Sequence, residues 1–135
     1  MIGRDELWVY FDGASRGNPG HAAIGAVVLD PPARLAEISE YIGTGTNNVA
    51  EYRALIAGLR AARAFPARVV HVRGDSMLVV NQMLGTWKVK HAALKPLARE
   101  AIALLRDFEA VDIAHVPRDQ NAEADALANA ALDAR

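Results

Sequence analysis

Of the sixteen acidic residues in the sequence, four sit where a carboxylate is either costly or well aimed: Asp12, Glu51, Asp75 and Asp125. Asp12 ends the apolar run Leu7-Trp8-Val9-Tyr10-Phe11. On strand alternation it shares a face with Trp8 and Tyr10, groups that normally exclude a charge. Glu51 follows Asn47-Asn48 at the start of a helical pattern, and Asp75 follows the apolar stretch Val69–Val72 and opens another helix. Asp125 lies in Ala124-Asp125-Ala126-Leu127-Ala128, inside the last helix. Each has a plainer reading alone. Asp12 before Gly13 can start a turn, and Asn48-Val49-Ala50-Glu51 fits a capping box with Asn48 as the N-cap. Asp75 can cap its helix, and Asp125 can face solvent. Together they point elsewhere. Four carboxylates at one sheet edge repel one another unless a cation joins them, and oxygen-only ligands suit hard Mg2+ or Mn2+. Two such ions roughly 4 Å apart can activate a water and stabilise the leaving oxygen of an in-line phosphodiester displacement.

The elements that must position these acids follow from periodicity. Leu7–Phe11, apolar on both faces, reads as a central strand that ends at Asp12-Gly13, and Gly17-Asn18-Pro19-Gly20 is a turn. Ala22–Leu29 and Leu35–Ile42 are further strands, broken by Pro31-Pro32, close enough to form an antiparallel meander. Val49, Tyr52, Ile56 and Leu59 then recur at helical steps until Pro66. Strand Val69–Val72, helices over Ser76–Leu84 and Leu94–Phe108, strand Val111–Val116 and a last helix complete the chain. The order βββαβααβα predicts an α/β fold, a mixed five-stranded sheet with helices packed on it, as one domain over residues 1–135. In such a sheet, strand carboxyl ends and neighbouring helix starts gather at one edge, where sites form.

Composition narrows the function classes. Fifteen Lys+Arg against sixteen Asp+Glu leave a net charge of −1, so a polyanion must meet a local patch or bound cations and not a global positive field. The absence of cysteine excludes disulfides and thiolate zinc sites. No apolar run approaches membrane-spanning length, and Met1-Ile2-Gly3-Arg4-Asp5-Glu6 lacks the apolar stretch of a signal peptide. The expectation is a cytoplasmic monomer with no membrane partner.

Four segments, in order and spacing, give the chain a resemblance to type 1 ribonucleases H over nearly its whole length. They are Tyr10 to Gly20 (YFDGASRGNPG), Thr46-Asn47-Asn48-Val49-Ala50-Glu51-Tyr52, Gly74-Asp75-Ser76 and Ala124-Asp125-Ala126-Leu127-Ala128. The resemblance implies the ribonuclease H-like fold and endonucleolytic hydrolysis of the RNA strand of RNA–DNA hybrids, leaving 5′-phosphate and 3′-hydroxyl ends. It makes Asp12, Glu51, Asp75 and Asp125 the catalytic metal ligands, for two Mg2+ ions bound with substrate or Mn2+ in their place. Asn18, Asn47 and Asn48 are amides near the acids, able to reach sugar hydroxyls and base edges in a minor groove, with turn and cap chemistry as the alternative. Thr46 resembles the position that helps hold a DNA-strand phosphate. Trp87, beside Lys88 and Lys90, resembles the aromatic along the DNA strand, with burial in the core as its alternative.

Two departures stand out. Many relatives carry a basic insertion after this Trp; here only Lys88, Lys90, His91 and Lys95 follow, the short form. Some relatives also place a His before the last helix, where this chain has Arg118. An arginine stays protonated and cannot be a general base, but it can hold the scissile phosphate or help product leave. His115 lies nearby at a strand end, and His21, His71 and His91 give no ligand spacing. A silent binding domain and a nuclease for DNA junctions or double-stranded RNA are the rivals. Four intact acids oppose the first, and the Asn positions oppose the second.

Overall fold

The computed structural model describes residues 4–135, so Met1, Ile2 and Gly3 of the segment read for a signal peptide lie outside the described residues. Three antiparallel strands come first: β1 (Arg4–Gly17), β2 (Gly20–Asp30) and β3 (Ala33–Gly45). Helix α1 (Asn47–Ala62) leads to β4 (Ala67–Gly74), parallel to β1, followed by α2 (Met77–Leu84) and α3 (Lys95–Leu105). Strand β5 (Ala110–His115) runs parallel to β4, and α4 (Ala122–Ala134) follows. The sheet order is β3-β2-β1-β4-β5, the mixed five-stranded sheet with four helices that the sequence predicts. Among the described residues no helix is long and apolar enough to cross a membrane.

β1 is central, as its two apolar faces require. Leu7, Val9 and Phe11 are fully buried on the side of α1, while Trp8 and Tyr10 are half-buried on the other. Each fully buried aliphatic or aromatic side chain contributes roughly 1.5–3 kcal/mol, so the α1–β1 layer dominates the stability. α4 packs on the opposite face, mainly on β2. Two glycines set these layers close. A Cβ at Gly13 would lie 2.2 Å from the Ala50 carbonyl carbon, and one at Gly25 would lie 2.1 Å from the Ala124 carbonyl oxygen. These contacts draw α1 and α4 onto the strands beside Asp12.

Several boundaries differ from the sequence reading, each for a local reason. β1 does not stop at Asp12. It continues to Gly17 because its hairpin with β2 runs on, with Asp12 opposite Gly25; what stops near Asp12 is the pairing with β4, whose last partners are Phe11 and Gly74. α1 is capped by Thr46, whose hydroxyl accepts from the Val49 N–H at 3.2 Å, so Asn48 is not the N-cap and Glu51 is the fifth helical residue. α2 is capped by Ser76 and not by Asp75. Both acids are thereby free of capping duty. α3 ends at Leu105, short of the Phe108 read from periodicity.

Gly25→Ala should lower stability by about 2–3 kcal/mol, because its methyl group meets α4 backbone that cannot rotate away. Urea denaturation measures this, and an unchanged midpoint would contradict the close approach of α4 to β2.

Candidate active site

Parallel pairing brings the first two acids together. β1 and β4 run in register to Phe11 and Gly74, so the next residues, Asp12 and Asp75, emerge side by side. Gly74 must lack a side chain here, since a Cβ would lie 2.4 Å from the Phe11 ring. Glu51 reaches the same point from α1, where its Oε1 accepts a hydrogen bond from the Gly13 N–H at 2.9 Å. Asp12, Glu51 and Asp75 each offer an oxygen within 4.8 Å of the others. Asp125, in the first turn of α4, lies outside that tight group but lines the same open cleft of about 410 Å3, with Asn47, Asn48, Arg118 and Asn129.

Two asparagines that the sequence reading passed over support the fourth acid. Asn129, one helical turn after Asp125, donates its amide to Asp125 Oδ1 at 3.2 Å and to the Asp125 carbonyl at 3.0 Å. Its i,i+4 spacing from the acid was the available signal. Asn121, only 1% exposed, donates to the Phe11 carbonyl at 2.9 Å and so ties the start of α4 to β1 one residue before Asp12. Nothing in the sequence marks that contact, which spans most of the chain.

The remaining candidates divide. Asn47 and Asn48 line the acidic cleft, exposed at the start of α1. Asn18 accepts from the Asn47 N–H at 3.1 Å, and Thr46 caps α1, so both perform turn and cap chemistry. They also line a neighbouring groove with Asn48 and His91, a residue the sequence reading set aside. Trp87 is 46% exposed, so burial in the core is not its role, and it does not line the acidic cleft. The Arg118 side chain is 80% exposed and its guanidinium stands 3.6 Å from Asp125 Oδ1. His115, exposed at the end of β5, does not line the cleft.

A family model described as reverse transcriptase-like matches residues 10–131. Ribonuclease HI of Halobacterium salinarum is 50% identical over 125 residues, 92% of this chain and 63% of its own length. The chain belongs to the type 1 ribonuclease H family. Another relative, the bifunctional protein Rv2228c of Mycobacterium tuberculosis, is 53% identical over 125 residues, 91% of this chain. The chain spans only 34% of that protein's length. The solved N-terminal RNase H domain of rv2228c superimposes with a TM-score of 0.92 at 49% identity, covering 95% of this chain and 99% of that one. LC11-RNase H1, solved in complex with an RNA/DNA hybrid, gives a TM-score of 0.88 at 41% identity, covering 94% and 96%.

In this ribonuclease H chain two of the acids, Asp12 and Glu51, hold their protons strongly. Burial, and after it the charges of Glu51 and Asp75, push the Asp12 carboxyl up to about 9. Burial also pushes Glu51 up to about 8, against the pull of its bond from the Gly13 N–H. Such a donor set fits a hard divalent cation, which replaces the protons and relieves the repulsion.

The pH dependence follows with a definite sign. Between the ordinary carboxylate range and about 8–9, the folded protein binds protons that the unfolded chain has released. Metal-free stability therefore falls as pH rises through that window. In EDTA, Asp12→Asn should have a flatter dependence of Tm on pH between about 6 and 8 than the unaltered protein, and be more stable by about 1–3 kcal/mol at the upper end. Thermal melts test this; parallel pH profiles for the two proteins would contradict it.

Proposed function

We propose that this chain is an endoribonuclease that hydrolyses the RNA strand of RNA–DNA hybrids, with residues 1–135 forming one ribonuclease H domain. The observation that carries this reading is the convergence of Asp12, Glu51 and Asp75 within 4.8 Å, at an open cleft of about 410 Å3. The solved hybrid complex of LC11-RNase H1, on the same fold, supports the choice of partner.

Asp12, Glu51, Asp75 and Asp125 would hold Mg2+, or Mn2+ in its place. Two such ions, when bound, would supply a water of lowered pKa and a Lewis acid for the leaving oxygen. The chain's own groups do the rest. The Gly13 N–H fixes one Glu51 oxygen and leaves the other to face the cleft, and Asn129 orients Asp125 in the same way. Water attacks the phosphorus, the P–O3′ bond breaks in line, and the departing 3′-oxygen takes up a proton, leaving 5′-phosphate and 3′-hydroxyl ends. Arg118, exposed at the rim, binds the scissile phosphate or the product phosphate and moves no proton. Asn47 and Asn48 offer amide donors to the 2′-hydroxyls that distinguish RNA from DNA. Thr46 and Asn18, in the adjoining groove, face the DNA strand, as does the exposed ring of Trp87.

End-labelled RNA presented as hybrid, as duplex RNA and as single strand, each with Mg2+, Mn2+ or EDTA, tests the proposal. Cutting should be confined to the hybrid and vanish in EDTA. Asp75→Asn should lose more than the roughly 10- to 100-fold typical of groups that only support a metal ligand. Equal cutting of duplex RNA, or near-normal activity of Asp75→Asn, would refute it.

A further inference from the structure

Away from the acidic cleft, one chain of buried polar groups crosses the core. Tyr52, the residue after Glu51, is fully buried in α1. Its hydroxyl lies 2.5 Å from Gln82 Oε1, and Gln82, only 7% exposed on α2, donates its amide to the Lys88 carbonyl at 3.2 Å. The roles are fixed by chemistry. A backbone carbonyl can only accept, so the Gln82 NH2 must face Lys88, leaving its oxygen to accept from Tyr52. A phenol hydroxyl is a donor near neutral pH. Packing alone does not call for this pair, since Phe and Met of similar shape would fill the same space without desolvated polar atoms.

The segment that Gln82 holds is the one that displays Trp87. α2 ends at Gly85 in a left-handed conformation (φ 82), and the chain folds back over the helix end. The N–H groups of Thr86 and Trp87 both donate to the Asn81 carbonyl, at 3.0 and 3.2 Å, and the Thr86 hydroxyl donates to the same carbonyl at 3.1 Å. The Trp87 backbone is thus gripped by Asn81 on one side and by Gln82, through Lys88, on the other, while the residue stays 46% exposed. At the far end of the chain of bonds stands the α1 backbone. Neighbouring helical residues point about 100° apart, which lets Glu51 face the cleft while Tyr52 faces the core.

We propose that Gln82 is a positioning residue: bonded to Tyr52 on one side and to the Lys88 carbonyl on the other, it fixes the Trp87 ring relative to the helix that carries Glu51. In this way it sets how the DNA strand of a hybrid is held while the RNA strand lies on the acids, a role that rests on the hybrid reading above. A side chain acting only through Trp87 affects substrate binding more than turnover, and its effect depends on Trp87 being present.

The test uses Gln82→Met, which keeps the length of the side chain and removes both bonds, in the unaltered and Trp87→Ala backgrounds. Steady-state kinetics on labelled hybrid should show KM raised about fivefold with kcat within about twofold, the loss expected for one or two hydrogen bonds. In the Trp87→Ala background the same substitution should change neither constant. An unchanged KM overturns the proposal, and so does an equal effect in both backgrounds, which would mark general loosening. Should Gln82→Met not fold, Gln82→Glu keeps the Tyr52 acceptor, loses the donor to Lys88, and carries the same expectation. Acrylamide quenching of Trp87 fluorescence in a Trp8→Phe background needs no substrate and separates the two readings. If the protein cuts no hybrid, the functional reading falls, and quenching still decides whether Gln82 holds Trp87. Stronger quenching in Gln82→Met supports that link; equal quenching overturns it.

Discussion

Three carboxylates with oxygens within 4.8 Å of one another, one of them on a side chain only 5% exposed, impose the constraint around which this fold is arranged. Negative charges so placed favour either bound protons or a bound cation. The donors facing these acids and Asp125 among the described residues are modest: the Gly13 N–H on Glu51, and Asn129 and an exposed Arg118 on Asp125. None neutralises the group. The arrangement costs stability that a functionless domain would recover by replacing one acid with an amide.

The surrounding structure offsets that cost by rigid backbone packing. Register between β1 and β4 makes Asp12 and Asp75 emerge together, and Gly74 clears the space that Phe11 fills. Gly13 lets α1 approach until its own N–H meets Glu51, so one glycine provides both the close contact and the hydrogen bond. Gly25 allows α4 an equally close approach, and Asn121 clamps the start of that helix to the Phe11 carbonyl. Each acid is thus held by an element buried in the same core.

Much of this was legible from the chain. A run apolar on both faces marks β1 as central, periodicity locates the helices, and the acids stand out by place: Asp12 at the end of an apolar strand, Glu51 and Asp75 at helix starts, Asp125 inside the last helix. Their convergence follows from the sheet type, which gathers strand ends and helix starts at one edge. What escaped was decided by single dihedral angles or by contacts distant in sequence. Thr46, Asn47 and Asn48 are all good caps, and only the extended backbone at Thr46 selects it, which turns Glu51 from a capping residue into a cleft residue. The strand containing Asp12 runs on because its hairpin partner does, a pairing that apolar patterning does not register. Nothing in the sequence sets Gln82 apart from Asn81, the other polar residue of α2. Its partners, 30 residues before it and six after it, exist only in the folded chain.

Burial and mutual repulsion leave Asp12 and Glu51 carrying protons that a divalent cation would displace. Calorimetric titration of the metal-free protein with Mn2+ near pH 7, repeated in buffers of different ionisation enthalpy, counts the protons released on binding. The account predicts net release of at least about one proton per protein, greatly reduced in Asp12→Asn, because Asp12 and Glu51 are protonated at that pH before the metal enters. Binding with no proton release, or no binding at millimolar Mn2+, would contradict it.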